Sequence, residues 1–146
     1  MKTITIISIL ITFILCVLTN AQSKTIGNDL STAIIKQQQL IIWTSGDREV
    51  ALKMVFMYAY NCRKYSWMDN VRLLIWGPSD KLLLEDEELQ NQLKELKKIG
   101  VELYACKGCA DMYGVSDQLT ELGITVMYTG KMLADLQKDG WHILSF

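Results

Sequence analysis

The chain has 146 residues, a length that suits one domain. Half of them are hydrophobic, a share swollen by the first twenty, and 21% are charged, so the remainder reads as globular rather than disordered. The net charge of −1 leaves no basic surplus to hold nucleic acid, and there is no acidic tail.

Met1 and Lys2 place one positive charge before an almost wholly apolar run from Ile4 to Leu18. Thr19-Asn20-Ala21 follows, with small residues where a signal peptidase cuts, so residues 1–21 read as a signal peptide and the mature chain as starting at Gln22. The run falls short of the ~20 residues that span a bilayer, so no membrane attachment is expected after cleavage. Cys16 lies inside this run and follows Leu15, where a lipoprotein would carry a small residue. A periplasmic or secreted location is expected, which favours oxidation of paired thiols. Cys62, Cys106 and Cys109 remain in the mature chain, an odd number and too few for a disulfide scaffold.

Residues 22–39 are polar, with Gly27, Asn28 and three consecutive glutamines, and read as a linker or N-terminal extension. The α/β domain is expected over 40–146. Leu40-Ile41-Ile42-Trp43 is a short apolar run broken by Thr44-Ser45-Gly46-Asp47, the pattern of a buried strand and a turn. Glu49 to Tyr65 has no breaker and predicts a helix. Val71 to Trp76 predicts a second buried strand, stopped at Gly77-Pro78-Ser79. Leu82 to Ile99 predicts one amphipathic helix, with Leu89, Leu93 and Leu96 on one face and Gly100 at its end. Val101 to Ala105 predicts a third strand. A helical stretch follows from Ala110 to Leu122, interrupted near Gly114. Ile124 to Tyr128 predicts a fourth strand, Lys131 to Lys138 a short helix, and Trp141 to Phe146 a fifth strand.

Strands alternating with helices imply parallel pairing through crossover helices. The strands read as apolar runs, as expected when helices cover both faces. The expected architecture is a three-layer α/β/α sandwich around a parallel five-stranded sheet. In such sheets ligands bind beyond the carboxyl ends of the strands. Four segments fall there: Thr44–Asp47, Trp76–Ser79, Cys106–Cys109 and Tyr128–Gly130.

Cys106-Lys107-Gly108-Cys109 carries the sharpest chemical signal. A thiol at the end of a strand, where a helix begins, meets unpaired backbone N–H groups that favour the thiolate. Lys107 adds a positive charge. Thiolate is the form that attacks sulfur, so Cys106 and Cys109 are the candidate catalytic residues, with Cys106 the more acidic and Cys109 the less exposed. The same spacing permits a structural disulfide. Zinc would need four ligands, and Cys62 and His142 have no paired partner at ligand spacing; His142 reads as a strand residue and Cys62 as core. GxGxxG, GxxxxGK[ST] and GxSxG are all absent, so no cofactor is expected. Glu85-Asp86-Glu87-Glu88 reads as a solvated stretch and Asp47 as a helix cap. The first helix is apolar nearly all round, so part of its cover is expected from another subunit.

The chain from Leu40 to Phe146 resembles the DsrE/DsrF-like family of small α/β proteins. The likeness rests on Thr44-Ser45-Gly46-Asp47, Trp76-Gly77-Pro78-Ser79, Ala105-Cys106 followed by Gly114-Val115, and the Gly130–Phe146 helix and strand. It implies a parallel five-stranded sandwich assembled as a trimer or hexamer. In its sulfur-relay members a cysteine after the third strand, eight residues before a glycine, carries a persulfide. Cys106 stands eight residues before Gly114, so that role would fall on Cys106, with a sulfur donor or acceptor protein as partner. Two features depart from those members: the export signal, and Asp111-Met112-Tyr113 plus a second thiol where they carry small residues and two arginines. Three function classes remain open: a persulfide carrier, a thiol–disulfide protein, and a non-catalytic oligomeric binding module.

Overall fold

The computed structural model describes residues 36–146. The signal peptide expected at 1–21 lies outside the described residues, as does most of the extension expected at 22–39. Five strands form one sheet: β1 Gln38–Trp43, β2 Asn70–Ile75, β3 Val101–Cys106, β4 Thr125–Met127 and β5 His142–Ser145. Their spatial order is β4-β3-β2-β1-β5, and every pair is parallel.

The strand order explains the layering. The first three crossovers step one way across the sheet, and the last returns across it to β5. Right-handed crossovers therefore put the earlier helices on one face and the last helix on the other. The first helix, α1, runs through α-helical turns at Arg48–Val50 and Met57–Lys64 with a π-helical stretch, Ala51–Phe56, between them. It shares its face with α2 Pro78–Glu85, α3 Glu87–Lys98, α4 Lys107–Tyr113 and α5 Ser116–Glu121. Here Ile41, Trp43, Leu73, Ile75 and Leu103 meet Phe56, Leu83, Leu93 and Leu119 in the main core. The opposite face holds α6, Thr129–Lys138, whose Leu136 packs on Leu40, Ile42 and Leu74.

The three layers are present but unequal. One helix cannot cover five strands, so β3 alternates between buried and open positions and β5 is mostly open. Arg72 occupies part of the uncovered face, over the rings of Tyr104 and Trp141 and paired with Glu102 at 2.9 Å.

Two sequence expectations shift. β1 starts inside the segment expected to be linker, because Gln39 is buried with its amide satisfied: Nε2 donates to the carbonyls of Leu40 and His142, at 2.9 and 3.2 Å. The helix expected over 82–99 is two helices. Asp86 adopts extended backbone, and its carboxylate accepts from the amides of Glu88 and Leu89, capping α3. Asp86 also pairs with Arg48 at 2.6 Å, and Arg48 reaches Glu88 as well, which ties α3 to α1. Asp47 caps α1 as expected, accepting from Glu49 and Val50.

Candidate functional site

Parallel strands bring all four expected segments to one edge of the sheet. The β1 and β2 ends are stitched there: Ser79 Oγ donates to the Trp43 carbonyl at 2.6 Å and accepts the Trp76 amide at 3.0 Å. Gly77 turns the chain into α2 with φ 78° and ψ −125°, backbone that a side-chain-bearing residue adopts only with strain. Pro78 then opens the helix at a position where its missing N–H costs nothing.

Cys106 is the last residue of β3 and the residue before α4. Side chains alternate along a strand. Val101, Leu103 and Ala105 point into the main core, so Cys106 shares the α6 face with Tyr104. Thr129, the first residue of α6, is buried there, and its hydroxyl has no nitrogen or oxygen partner. It lies close enough to the Cys106 sulfur to favour the thiolate without completing a hydrogen bond.

The electrostatics of the two thiols diverge. Burial pushes the Cys106 thiol up. The Thr129 hydroxyl, the amides of Cys109 and Gly108 and the Cys109 thiol outweigh it, and the net displacement is downward, toward thiolate. Cys109 is pushed up by burial first, then by the hydrogen bond and charge of Cys106 and by the charge of Asp80; the Trp76 indole N–H opposes this. Both cysteines are free and half-buried. Lys107, expected to favour the thiolate, is engaged by Asp111 at 2.8 Å. Ser116 donates to the same carboxylate at 2.6 Å. Gly114 ends α4 in the left-handed region, φ 69°, and lets α5 turn back.

Two residues of this edge escaped the sequence reading. Thr129 sat inside an expected loop segment but carried no distinguishing pattern. Asp80 fell between the expected stop at Ser79 and the helix expected from Leu82, and carried no distinguishing pattern. It is in fact wholly buried, with neither carboxylate oxygen completing a hydrogen bond. Burial pushes its pKa up to about 7, against a smaller downward pull from the Gly77 amide. Residues expected to be bystanders stay apart from the edge chemistry. Cys62 is buried in the main core. His142 stands in β5 beside Gln37 Oε1, at 3.1 Å. Among the described residues no three His, Cys, Asp or Glu side chains converge as metal ligands, and no helix is long and apolar enough to cross a membrane.

Solved structures share this fold. A conserved protein of unknown function, BT1422 from Bacteroides thetaiotaomicron, is 34% identical with a TM-score of 0.72, over 75% of this chain and 95% of that one. The ychN protein from E. coli (20% identity, TM-score 0.57) and MTH1491 from Methanobacterium thermoautotrophicum (21%, 0.59) share the fold, each over 75% of this chain and all of theirs. Among curated protein sequences nothing matches. The sequence profile of the DsrE/DsrF-like family matches residues 14–146, and the chain belongs to that family.

Proposed function

We propose that this is an exported sulfur-handling protein whose Cys106 thiolate takes up sulfane sulfur and whose Cys109 resolves it. One observation carries the reading: Cys106 is held toward thiolate by Thr129 and two backbone amides, next to a second free thiol displaced the other way. That is the division of labour between an attacking and a resolving cysteine. Cys106 thiolate attacks the terminal sulfur of a persulfide donor; the new S–S bond forms and the donor leaves as its thiolate. Cys109 thiolate then attacks the Cys106 sulfur, giving a Cys106–Cys109 disulfide and releasing hydrosulfide. An acceptor thiol attacking the outer sulfur instead would carry the sulfur away and leave Cys106 free.

The protein is a homo-oligomer in this reading, a trimer or hexamer. Met54, Met57, Tyr65 and Trp67 are each about half exposed along and just after α1, an apolar surface suited to a second subunit. In this reading residues 1–21 are an export signal, and the mature protein works in the periplasm or outside the cell.

Polysulfide treatment followed by mass spectrometry tests the proposal. One extra sulfur on Cys106 is expected in Cys109→Ser protein, and none in Cys106→Ser. The adjacency of two free thiols also favours a second reading, a thiol–disulfide exchanger. An unloaded Cys106 with a pair that cycles above about −300 mV would select it, since structural disulfides typically lie below that potential.

A further inference from the structure

A resolving cysteine with a raised pKa is a poor nucleophile until its proton is removed, and Cys109 is such a residue. The edge of the sheet carries one group suited to removing it. Asp80 lies in the first turn of α2, and α2 packs directly against α4, which carries Cys109. The two helices follow neighbouring strands, β2 and β3. The indole of Trp76, four residues before Asp80, draws the Cys109 thiol down, so one short segment supplies both that influence and the carboxylate behind it. Asp80 is close enough for its charge to bear on Cys109, yet the two make no hydrogen bond.

Structural duties do not account for this carboxylate. A buried acid in a fold normally caps a helix, pairs with a cation or accepts several amides. Asp80 has only the nearby Gly77 amide acting on it: its side chain is wholly enclosed and neither oxygen completes a hydrogen bond. Leaving a carboxyl so placed costs stability, which is the pattern of a group retained for chemistry.

We propose that Asp80 is the proton acceptor for Cys109, taking the thiol proton as Cys109 attacks sulfur held on Cys106. The inference rests on the thiol chemistry proposed above. The step balances as follows. The Cys109 S–H proton passes to Asp80, the Cys109–Cys106 S–S bond forms, the bond from Cys106 to its bound group breaks, and that group leaves with the electron pair. If the leaving group is hydrosulfide, protonated Asp80 returns the proton to it. If it is a thiolate of low basicity, the proton goes to solvent.

Asp80 is free of competing partners. On its own helix the charged groups are Lys81 and Glu85. On the first turn of α3 and its cap they are Asp86, Glu87 and Glu88, of which Asp86 and Glu88 pair with Arg48, and further along α3 are Lys94, Glu95, Lys97 and Lys98. On α4 they are Lys107 and Asp111, paired with each other, and on α5 Asp117 and Glu121. None of these shifts Asp80, whose surroundings act on it through burial and the Gly77 amide.

The test uses the reduced full-length chain and an aromatic disulfide, 5,5′-dithiobis(2-nitrobenzoate). Cys106 thiolate attacks it and releases one thionitrobenzoate; Cys109 then displaces the second from Cys106. Peptide mapping assigns each release. In Asp80→Asn the ratio of second to first rate should fall about a hundredfold or more, the low end of what a positioned base contributes. A purely electrostatic role predicts the opposite: removing the Asp80 charge makes Cys109 more acidic, so the second release accelerates. Unchanged or faster second release with a normal first release overturns the Asp80 assignment and leaves the thiol reading intact. Absence of the first release from folded wild-type protein overturns the thiol reading itself, and this inference with it. The wild-type pH profile serves independently of whether the variant folds. The second release should rise with pH through about 7 and level off. A rise that continues to the higher pH at which a burial-raised thiol ionises overturns the proposal.

Discussion

Cys106 is the N-cap of α4 and Cys109 its third residue, and the interaction of these two free thiols displaces them in opposite directions. It helps hold Cys106 down while pushing Cys109 up, so a symmetric motif becomes an unequal pair. Thr129 deepens the difference, because its buried hydroxyl, which completes no hydrogen bond, favours the Cys106 thiolate.

Iodoacetamide should therefore label Cys106 before Cys109 at neutral pH. Thr129→Val keeps the shape and removes the hydroxyl. Its Cys106 labelling rate at pH 7 should drop by about tenfold, the scale of one hydrogen bond to a charged group. Faster labelling of Cys109 would reverse the roles assigned to the pair.

Asp80 makes stability depend on pH. It holds its proton more tightly in the folded chain, to about 7, than a carboxyl does when unfolded. The folded state therefore binds more protons between those limits, and stability is lost as pH rises through that window. Denaturant unfolding should show wild type weakening between pH 5 and pH 8 relative to Asp80→Asn, by roughly 2–3 kcal/mol at about 1.4 kcal/mol per pKa unit. Parallel curves for the two proteins would place the carboxyl in a more solvated setting than its burial indicates.

Gly77→Ala should cost about 1–3 kcal/mol from backbone alone. An added Cβ meets nothing within 4 Å, so crowding contributes nothing, and the penalty comes from φ 78°. A chemical midpoint unchanged from wild type would show that the turn relaxes into another conformation.

Light scattering of the mature protein should report a trimer or larger at micromolar concentration. Met57→Glu, which places a charge on the half-exposed face of α1, should lower the measured mass while circular dichroism stays unchanged. A wild-type monomer would refute the oligomer.

Amino-terminal sequencing of the exported protein should begin at Gln22. An intact Met1 would refute the signal peptide.

The strand–helix alternation was legible in the sequence because buried parallel strands read as apolar runs, and Leu40–Trp43 and Val71–Ile75 are such runs. The cysteine pair was legible for the same local reason: a thiol directly after a strand's apolar residues sits at the carboxyl edge whatever the strand order. Asp47 and Gly114 also acted locally, as cap and as helix end, and so could be read in place. The break at Asp86 was hidden, because the leucine periodicity on either side continues through it. Gln39 looked like linker, since only cross-strand carbonyls turn a glutamine into a strand residue. Tertiary structure alone decided the rest. The order β4-β3-β2-β1-β5 sends a single helix to the second face and leaves much of that face open. Asp80 and Thr129 come to the cysteines from 26 and 23 positions away in sequence, counted to Cys106, across separate crossovers. Whether such an acid is solvated or enclosed depends on how neighbouring crossovers pack, and a first-turn aspartate reads the same in both cases.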